Sequence, residues 1–274
     1  MNKFVLITGV STGIGYAAAR ELAGQGYHVF GSVRKQADAD RLLSEFPANF
    51  TPLLFDVTDE TAVHTAVEKV IQLVGEHGLT ALINNAGVSV PGPLAHMPLA
   101  DFRQQLEINV VGLLAVTQAC LPLLKTAKGR IINISSVSGK IAYPFMGAYA
   151  ASKHAVEALS DALRRELLLY GVDVILVEPG TTRTPIVGKF AQQVAQYRET
   201  DYGRFLQGLA AQIEEREKSA MPVSRVTAVI RTALEHPSPK TRYPVPRKWL
   251  TGWLLPRWLP DRWFDRIFAR RLGN

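Results

Sequence analysis

The chain has 274 residues, of which 47% are hydrophobic and 20% charged, with 21 glycines and 16 prolines; that suffices for one large core and excludes a disordered, collagen-like or coiled-coil chain. The formal charge of +7 is confined to one end, since residues 1–239 carry 22 basic and 22 acidic side chains while residues 240–274 carry nine basic and two acidic ones. The single cysteine, Cys120, excludes an internal disulfide and, with six scattered histidines, offers no metal-ligand spacing, so no metal is expected and the compartment is expected to be reducing and cytoplasmic.

Apolar runs of strand length recur along the chain with helical patterns between them. Phe4 to Thr8 is expected to be a first strand and not a leader, because the run stops at Gly9 and no small-residue cleavage pattern follows. Further strands are expected at His28 to Val33, Thr51 to Phe55, Ala81 to Asn84, Arg130 to Ser135 and Val172 to Glu178, with a seventh near Thr241 to Val245. Helices are expected near 14–25, 59–75 with Asp59 as N-cap, 101–127, 148–170 and 222–235. The alternation predicts an α/β fold: one Rossmann-like, doubly wound parallel sheet of about seven strands with helices on both faces, spanning 1–245. No apolar run reaches the roughly 18 uninterrupted residues of a membrane span.

Three groups of residues carry chemistry. Thr8 to Gly15 follows the first strand and opens the first helix, and its glycines Gly9, Gly13 and Gly15 let the backbone turn tightly toward a pyrophosphate held at the helix N-terminus. Its spacing is G-x3-G-x-G, not the general dinucleotide fingerprint. At the end of the second strand, where a carboxylate would hold a ribose 2′-hydroxyl, stand Arg34 and Lys35; cations there suit a 2′-phosphate, so NADP(H) is favoured over NAD(H). Tyr149 and Lys153 lie four apart on one helical face, and Ser136 stands thirteen residues before Tyr149 at the carboxyl end of the fifth strand, where open α/β sheets bind ligands.

With these residues in family order, the chain resembles a short-chain dehydrogenase/reductase over residues 3 to about 185, and more loosely the retinol and 17-beta-hydroxysteroid dehydrogenase branches. The further motifs are Asp56-Val57, Asn84-Asn85-Ala86-Gly87, Asn109 in Asn-Val-Val-Gly, and Pro179-Gly180 followed by Thr184. The resemblance implies a catalytic set of Asn109, Ser136, Tyr149 and Lys153. Tyr149 would exchange a proton with the carbonyl or alcohol, Ser136 would hydrogen-bond the same oxygen, and Asn109 would hold a water joining Lys153 to solvent. Lys153 would also hold the ribose. Proton exchange near neutrality asks a tyrosine of pKa about 10 to fall by about three units, with the Lys153 ammonium and the oxidised nicotinamide favouring tyrosinate. The implied cofactor set is Gly9, Ser11, Thr12, Gly13, Ile14, Gly15, Arg34, Asp56, Val57, Asn85, Ala86, Gly87, Tyr149, Lys153, Pro179, Gly180, Thr182 and Thr184. Asp56 is open between an adenine contact and a turn or capping role, and Asn85 to Gly87 between a ribose contact and a structural lock.

A substrate lid is expected over about 183–221, with Phe190, Tyr197, Tyr202, Phe205, Leu206 and Leu209 as candidate pocket walls. All four tryptophans fall in the basic extension 246–274, where Pro260 is expected to open an amphipathic helix with Phe264, Ile267, Phe268 and Leu272 on one face and Arg262, Arg266 and Arg270 on another. Two readings stay open for it: a helix docked over the active site or a partner subunit, or peripheral contact with an anionic bilayer. Nucleic-acid binding is not expected. The expected activity is NADP(H)-dependent interconversion of an alcohol and its ketone or aldehyde on a hydrophobic, steroid-, retinoid- or lipid-like substrate, by a homodimer paired through the helices around 104–124 and 155–169. The alternatives are a 3-oxoacyl-carrier-protein-type reductase and a non-catalytic NADP(H)-binding scaffold.

Overall fold

A computed structural model of the chain describes residues 3–46, 48–184, 190–209 and 220–272, with the side chains of Arg271 and Leu272 excepted. Seven parallel strands form one sheet: β1 Phe4–Ile7, β2 His28–Val33, β3 Phe50–Leu54, β4 Ala81–Asn84, β5 Arg130–Ile134, β6 Asp173–Pro179 and β7 Arg242–Val245. Their order in space is β3-β2-β1-β4-β5-β6-β7.

The inner strands β1, β2, β4, β5 and β6 are largely apolar because both faces are covered, while the edge strands β3 and β7 are only partly buried. Along β1, Val5 and Ile7 point into one core and Phe4 and Leu6 into the other, as the two-residue period of a strand requires. The first core is closed by α1 (Gly13–Gly24), α2 (Gln36–Glu45) and α8 (Ser224–Glu235); the second by α3 (Glu60–Val74) and α5 (Gly112–Ala127). Each fully buried Leu, Ile or Val in these layers contributes roughly 1.5–3 kcal/mol. α6 (Gly147–Glu166) packs on β6 and on the turn Val137–Gly139 that follows β5.

The order reverses between β1 and β4, so the connections leaving those two strands diverge and open a crevice at their carboxyl ends. Both glycine-bearing loops, Thr8 to Gly15 and Asn85 to Gly87, fall there.

Three observed elements differ from those expected. α2 was not expected: it buries only Ala39 and Leu42, too few apolar positions to show a helical period. The helix expected at 101–127 starts at Leu99 as α4 (Leu99–Leu106) and passes through a wider, π-type turn at Glu107–Val111 before α5. This run is long and apolar enough to cross a bilayer by composition alone, but α5 packs on β4 and α3 as a core helix. The helix expected to reach 170 ends as an α-helix at Glu166 and tightens into a 3₁₀ turn, Leu167–Tyr170. Asp59 caps α3 as expected, accepting from the Ala62 amide at 2.9 Å.

Part of the expected lid, 185–189 and 210–219, lies outside the described residues. Within the remainder, Phe190, Val194, Tyr197 and Leu206 form a small core of their own with Phe145, Met146, Tyr202 and Leu209 against it; α7 is Phe190–Val194. After β7 the chain runs through a wide turn at Leu250–Leu254, a short α9 (Leu255–Trp258) and α10 (Asp261–Leu272), which begins after Pro260. Phe264 and Phe268 of α10 face inward, the Phe268 ring 6.0 Å from that of Tyr143.

Candidate active site

At the nucleotide end of the crevice, Gly9 and Gly13 hold φ of +71° and +64°, conformations that favour glycine. The Gly9 amide donates to Ser32 Oγ at 2.9 Å. Thr12 starts α1 with no side-chain cap bond, so the amides of its first turn are free for an anion favoured by the helix dipole. A Cβ on Gly15 would lie 2.3 Å from the Gly9 carbonyl and 2.4 Å from Asn85 Nδ2, so the cradle closes only around glycine. Asn85 locks it from the β4 side: Nδ2 donates to the carbonyls of Thr8 and Gly9 at 2.9 Å each, while the amides of Asn85 and Ala86 donate to Thr8 Oγ1. Asn85 thus ties the turn after β4 to the glycine-rich loop.

Arg34 is 67% exposed and stands 3.6 Å from Asp56 Oδ2. Asp56 Oδ1 accepts from the Thr58 amide and hydroxyl, a local turn that leaves the other oxygen beside Arg34, and Val57 packs under Gly112. Sequence reasoning missed Arg41, whose Nη2 donates to the Ser11 carbonyl at 2.8 Å. It holds the glycine-rich loop from α2, the helix whose periodicity was too weak to read. Arg34, Lys35 and Arg41 thus bring three cations to the end of β2. Uncapped amides, a cradle that admits only glycine and this cationic rim fit a phosphorylated dinucleotide.

At the other end, Ser136, Tyr149 and Lys153 come together as expected. Ser136 Oγ accepts from the Ser138 amide at 3.1 Å and donates to the Pro179 carbonyl at 3.4 Å, and it stands close enough to Tyr149 to favour the tyrosinate. Lys153 is 6% exposed; its Nζ donates to the Ile134 carbonyl at 2.8 Å and stands 5.8 Å from the Tyr149 ring centre. Burial pushes Lys153 down to about 8, with Glu157 opposing the fall. Burial raises Tyr149 above its ordinary value, and Ser136 only partly offsets this. In the protein alone the Lys153 ammonium is turned to a carbonyl, so the phenol keeps its proton.

Asn109 is buried in the wide turn between α4 and α5. Its Oδ1 accepts from the Val88 amide at 2.8 Å and its Nδ2 donates to the Val88 carbonyl and Ser152 Oγ, 3.0 Å each. The side chain is a clamp between the loop after β4 and α6, with both amide protons committed. Beyond β6, Gly180 donates to the Val245 carbonyl, Thr182 Oγ1 donates to the Gly180 carbonyl, and Thr182 pairs with Met221. Thr184 is half-buried at the edge of the described segment. Ser135 and Ser138 are buried and His154 is exposed, its ring bonded to the Ala150 carbonyl.

Comparison with known proteins gives a match of residues 3–195 to the short chain dehydrogenase family model. The chain belongs to the short-chain dehydrogenase/reductase family. It is 43% identical over 98% of its length, and 97% of the relative's, to an NADPH-dependent 3-dehydrocapnine reductase of Ornithobacterium rhinotracheale. It is 40% identical to the uncharacterized oxidoreductase YbbO of Escherichia coli K12, covering 97% of this chain and 94% of that one. Retinol dehydrogenase 16 of Mus musculus is 35% identical, over 88% and 80% of the two chains. Among solved structures, a short-chain dehydrogenase from Streptomyces avermitilis superimposes with a TM-score of 0.77 at 25% identity, over 98% of this chain and 94% of that one. ElxO with NADP bound gives 0.75 at 26%, over 92% and 100%. As a short-chain dehydrogenase/reductase the chain is an oxidoreductase of the alcohol dehydrogenase and carbonyl reductase type, and its cofactor is NADP(H). The residues that could hold the cofactor are those of the glycine cradle, the cationic rim and Lys153.

Proposed function

We propose that this short-chain dehydrogenase/reductase reduces a ketone or aldehyde on a hydrophobic skeleton, with Tyr149 as the proton donor. The observation that carries the reading is the juxtaposition of Ser136, Tyr149 and Lys153 at the carboxyl end of β5. Bound NADPH supplies the hydride. Tyr149, held as a phenol by burial, is in the protonation state that carbonyl reduction needs. Ser136 donates to the carbonyl oxygen where negative charge develops. Lys153 stays charged below about pH 8 and favours the tyrosinate left after proton transfer. Asn109 fixes Val88 of the loop after β4 against Ser152 of α6 and so holds this wall of the cleft in register.

A lipid-, retinoid- or steroid-like substrate is supported by the apolar cluster of Phe190, Tyr197 and Leu206 packed on Phe145 and Met146, which lie between Ser136 and Tyr149 in the chain. Phe264 and Phe268 extend that apolar wall to Tyr143. The names of two relatives, a 3-dehydrocapnine reductase and a retinol dehydrogenase, are consistent with such a carbonyl or alcohol. An NADPH-consumption panel of long-chain ketones, retinal, ketosteroids and small aldehydes tests the reading. Turnover is expected on a long-chain or polycyclic carbonyl; activity restricted to the small aldehydes would overturn the hydrophobic-substrate assignment.

The tail supports cytoplasmic, peripheral membrane contact. Trp258 and Trp263 are 78% and 61% exposed, and Arg262, Arg266 and Arg270 of α10 pair with no carboxylate among the described residues. Exposed tryptophan beside free cations suits an anionic bilayer surface, from which an apolar substrate would enter beside Phe268. A homodimer is supported by Leu168 and Leu169, 71% and 85% exposed at the end of α6. In sedimentation, the protein is expected to run as two chains and to pellet with vesicles containing phosphatidylglycerol. A Trp258→Ser/Trp263→Ser double variant is expected to stay dimeric and remain in the supernatant. Equal pelleting of the two proteins would remove the membrane assignment, and a single-chain mass the dimer.

A further inference from the structure

Behind the catalytic residues lies a buried charged cluster that the reaction as described does not use. Glu157 follows Lys153 by one turn of α6 and is 3% exposed; Glu178, which precedes Pro179 on β6, is fully buried. Glu157 Oε2 accepts from Lys140 Nζ at 3.0 Å and from Arg242 Nε at 3.2 Å. Arg242 Nη2 goes on to Asp161 Oδ1 at 2.8 Å, and its Nε is 3.6 Å from Glu178 Oε1. The Val137–Gly139 turn, which leaves Ser136, rests on this cluster: a Cβ on Gly139 would lie 3.0 Å from the Glu157 stem.

The donor inventory does not close with both carboxyls ionised. Glu157 Oε1 and both oxygens of Glu178 are buried and receive no hydrogen bond from any other group among the described residues. An ionised carboxylate only accepts, and two of them facing each other without a donor repel. One added proton pairs two of these three oxygens and removes the repulsion, because a neutral Glu178 donates to the free oxygen of Glu157 and stops competing with it for Arg242.

We propose that Glu157 and Glu178 share a single proton, and that the one negative charge left on the pair, carried by Glu157, is the positioning charge that keeps Lys153 an ammonium beneath Tyr149. This rests on the assignment of Tyr149 and Lys153 as the acid and its charge partner. Burial, then the neighbouring Glu157 charge, pushes Glu178 up to about 8, against the pull of Arg242 and Lys140. The groups facing Lys153 are Tyr149 and Glu157 on its own helix and the Ile134 carbonyl on β5. Those facing Glu157 are Lys140 from the turn, Glu178 from β6 and Arg242 from β7. The sign follows from burial: Lys153 is charged below its lowered value and loses its proton as pH rises through it. Removing the Glu157 charge lowers that value further, and the ammonium is then lost at lower pH.

Two measurements on the full-length protein test this. In the pH profile of NADPH-dependent carbonyl reduction, Glu157→Gln is expected to move the alkaline limb down by about one pH unit, the order expected for a unit charge one helical turn away. Asp161→Asn removes an equally close partner of Arg242 and is expected to lower Tm while leaving the limb in place. An unmoved limb in Glu157→Gln, or equal shifts in both variants, would overturn the positioning role. Independently of turnover, infrared spectra at pH 7 are expected to show the carbonyl stretch of one neutral buried carboxylic acid that disappears in Glu178→Gln. Its absence from the unsubstituted protein would overturn the shared proton. Should Tyr149→Phe keep full activity while that band is present, the acid assignment fails and the shared proton stands.

Discussion

Tyr149→Phe is expected to lower kcat for carbonyl reduction by about 10²–10⁴-fold, the range for losing a positioned proton donor, while NADPH affinity stays within about threefold. The ring packs as before, and only one polar atom leaves. Ser136 keeps its contacts to the Ser138 amide and the Pro179 carbonyl, and Lys153 keeps its bond to the Ile134 carbonyl, so neither is left without a partner. The loss therefore reports on the proton and not on collapse of the site, and an unchanged Tm verifies this. The loss should persist across pH 6–9, because among the described residues only Ser136 stands beside that position with a transferable proton, and it has no base to renew it. NADPH fluorescence titration and steady-state turnover check the two halves separately. Retained turnover would falsify the assignment of Tyr149 as the donor.

The strands could be read because a parallel sheet covered on both faces demands continuous apolar runs, and β1 to β6 supply them. The Ser136, Tyr149 and Lys153 set could be read because helical spacing and strand polarity together fix where those three side chains meet. What could not be read depends on contacts between distant segments. The clamp of the Asn109 side chain on Val88 and Ser152 is one such contact. Arg41 carries no signal because α2 shows so little periodicity, and its bond to the Ser11 carbonyl crosses thirty positions. Glu157 and Glu178 sit on a helix and a strand with ordinary patterns, and only the fold buries their carboxyls together. The direction of the Tyr149 shift was also beyond the sequence, since it turns on burial and on where the Lys153 ammonium points.

Arg34→Asp is expected to move the ratio of kcat/KM for NADPH over NADH by about a hundredfold or more toward NADH. Arg34 is well exposed and its 3.6 Å contact with Asp56 is an open ion pair, worth about 0–1 kcal/mol. It costs little to give up, so the guanidinium is free to turn to a 2′-phosphate. A charge-assisted hydrogen bond of this kind is worth about 1.5–3 kcal/mol, or roughly ten- to a hundredfold in affinity at 1.4 kcal/mol per decade. Aspartate at 34 also adds repulsion, since it stands beside Asp56 and can accept from a ribose 2′-hydroxyl but not face a phosphate dianion. The switch stays incomplete because Lys35 is exposed at the same strand end and Arg41 is anchored to Ser11, Asp38 and Glu45. Arg34→Ala separates the two contributions: it removes the attraction without the repulsion and should give the smaller shift. Unchanged ratios in both variants would transfer the phosphate contact to Lys35 and Arg41.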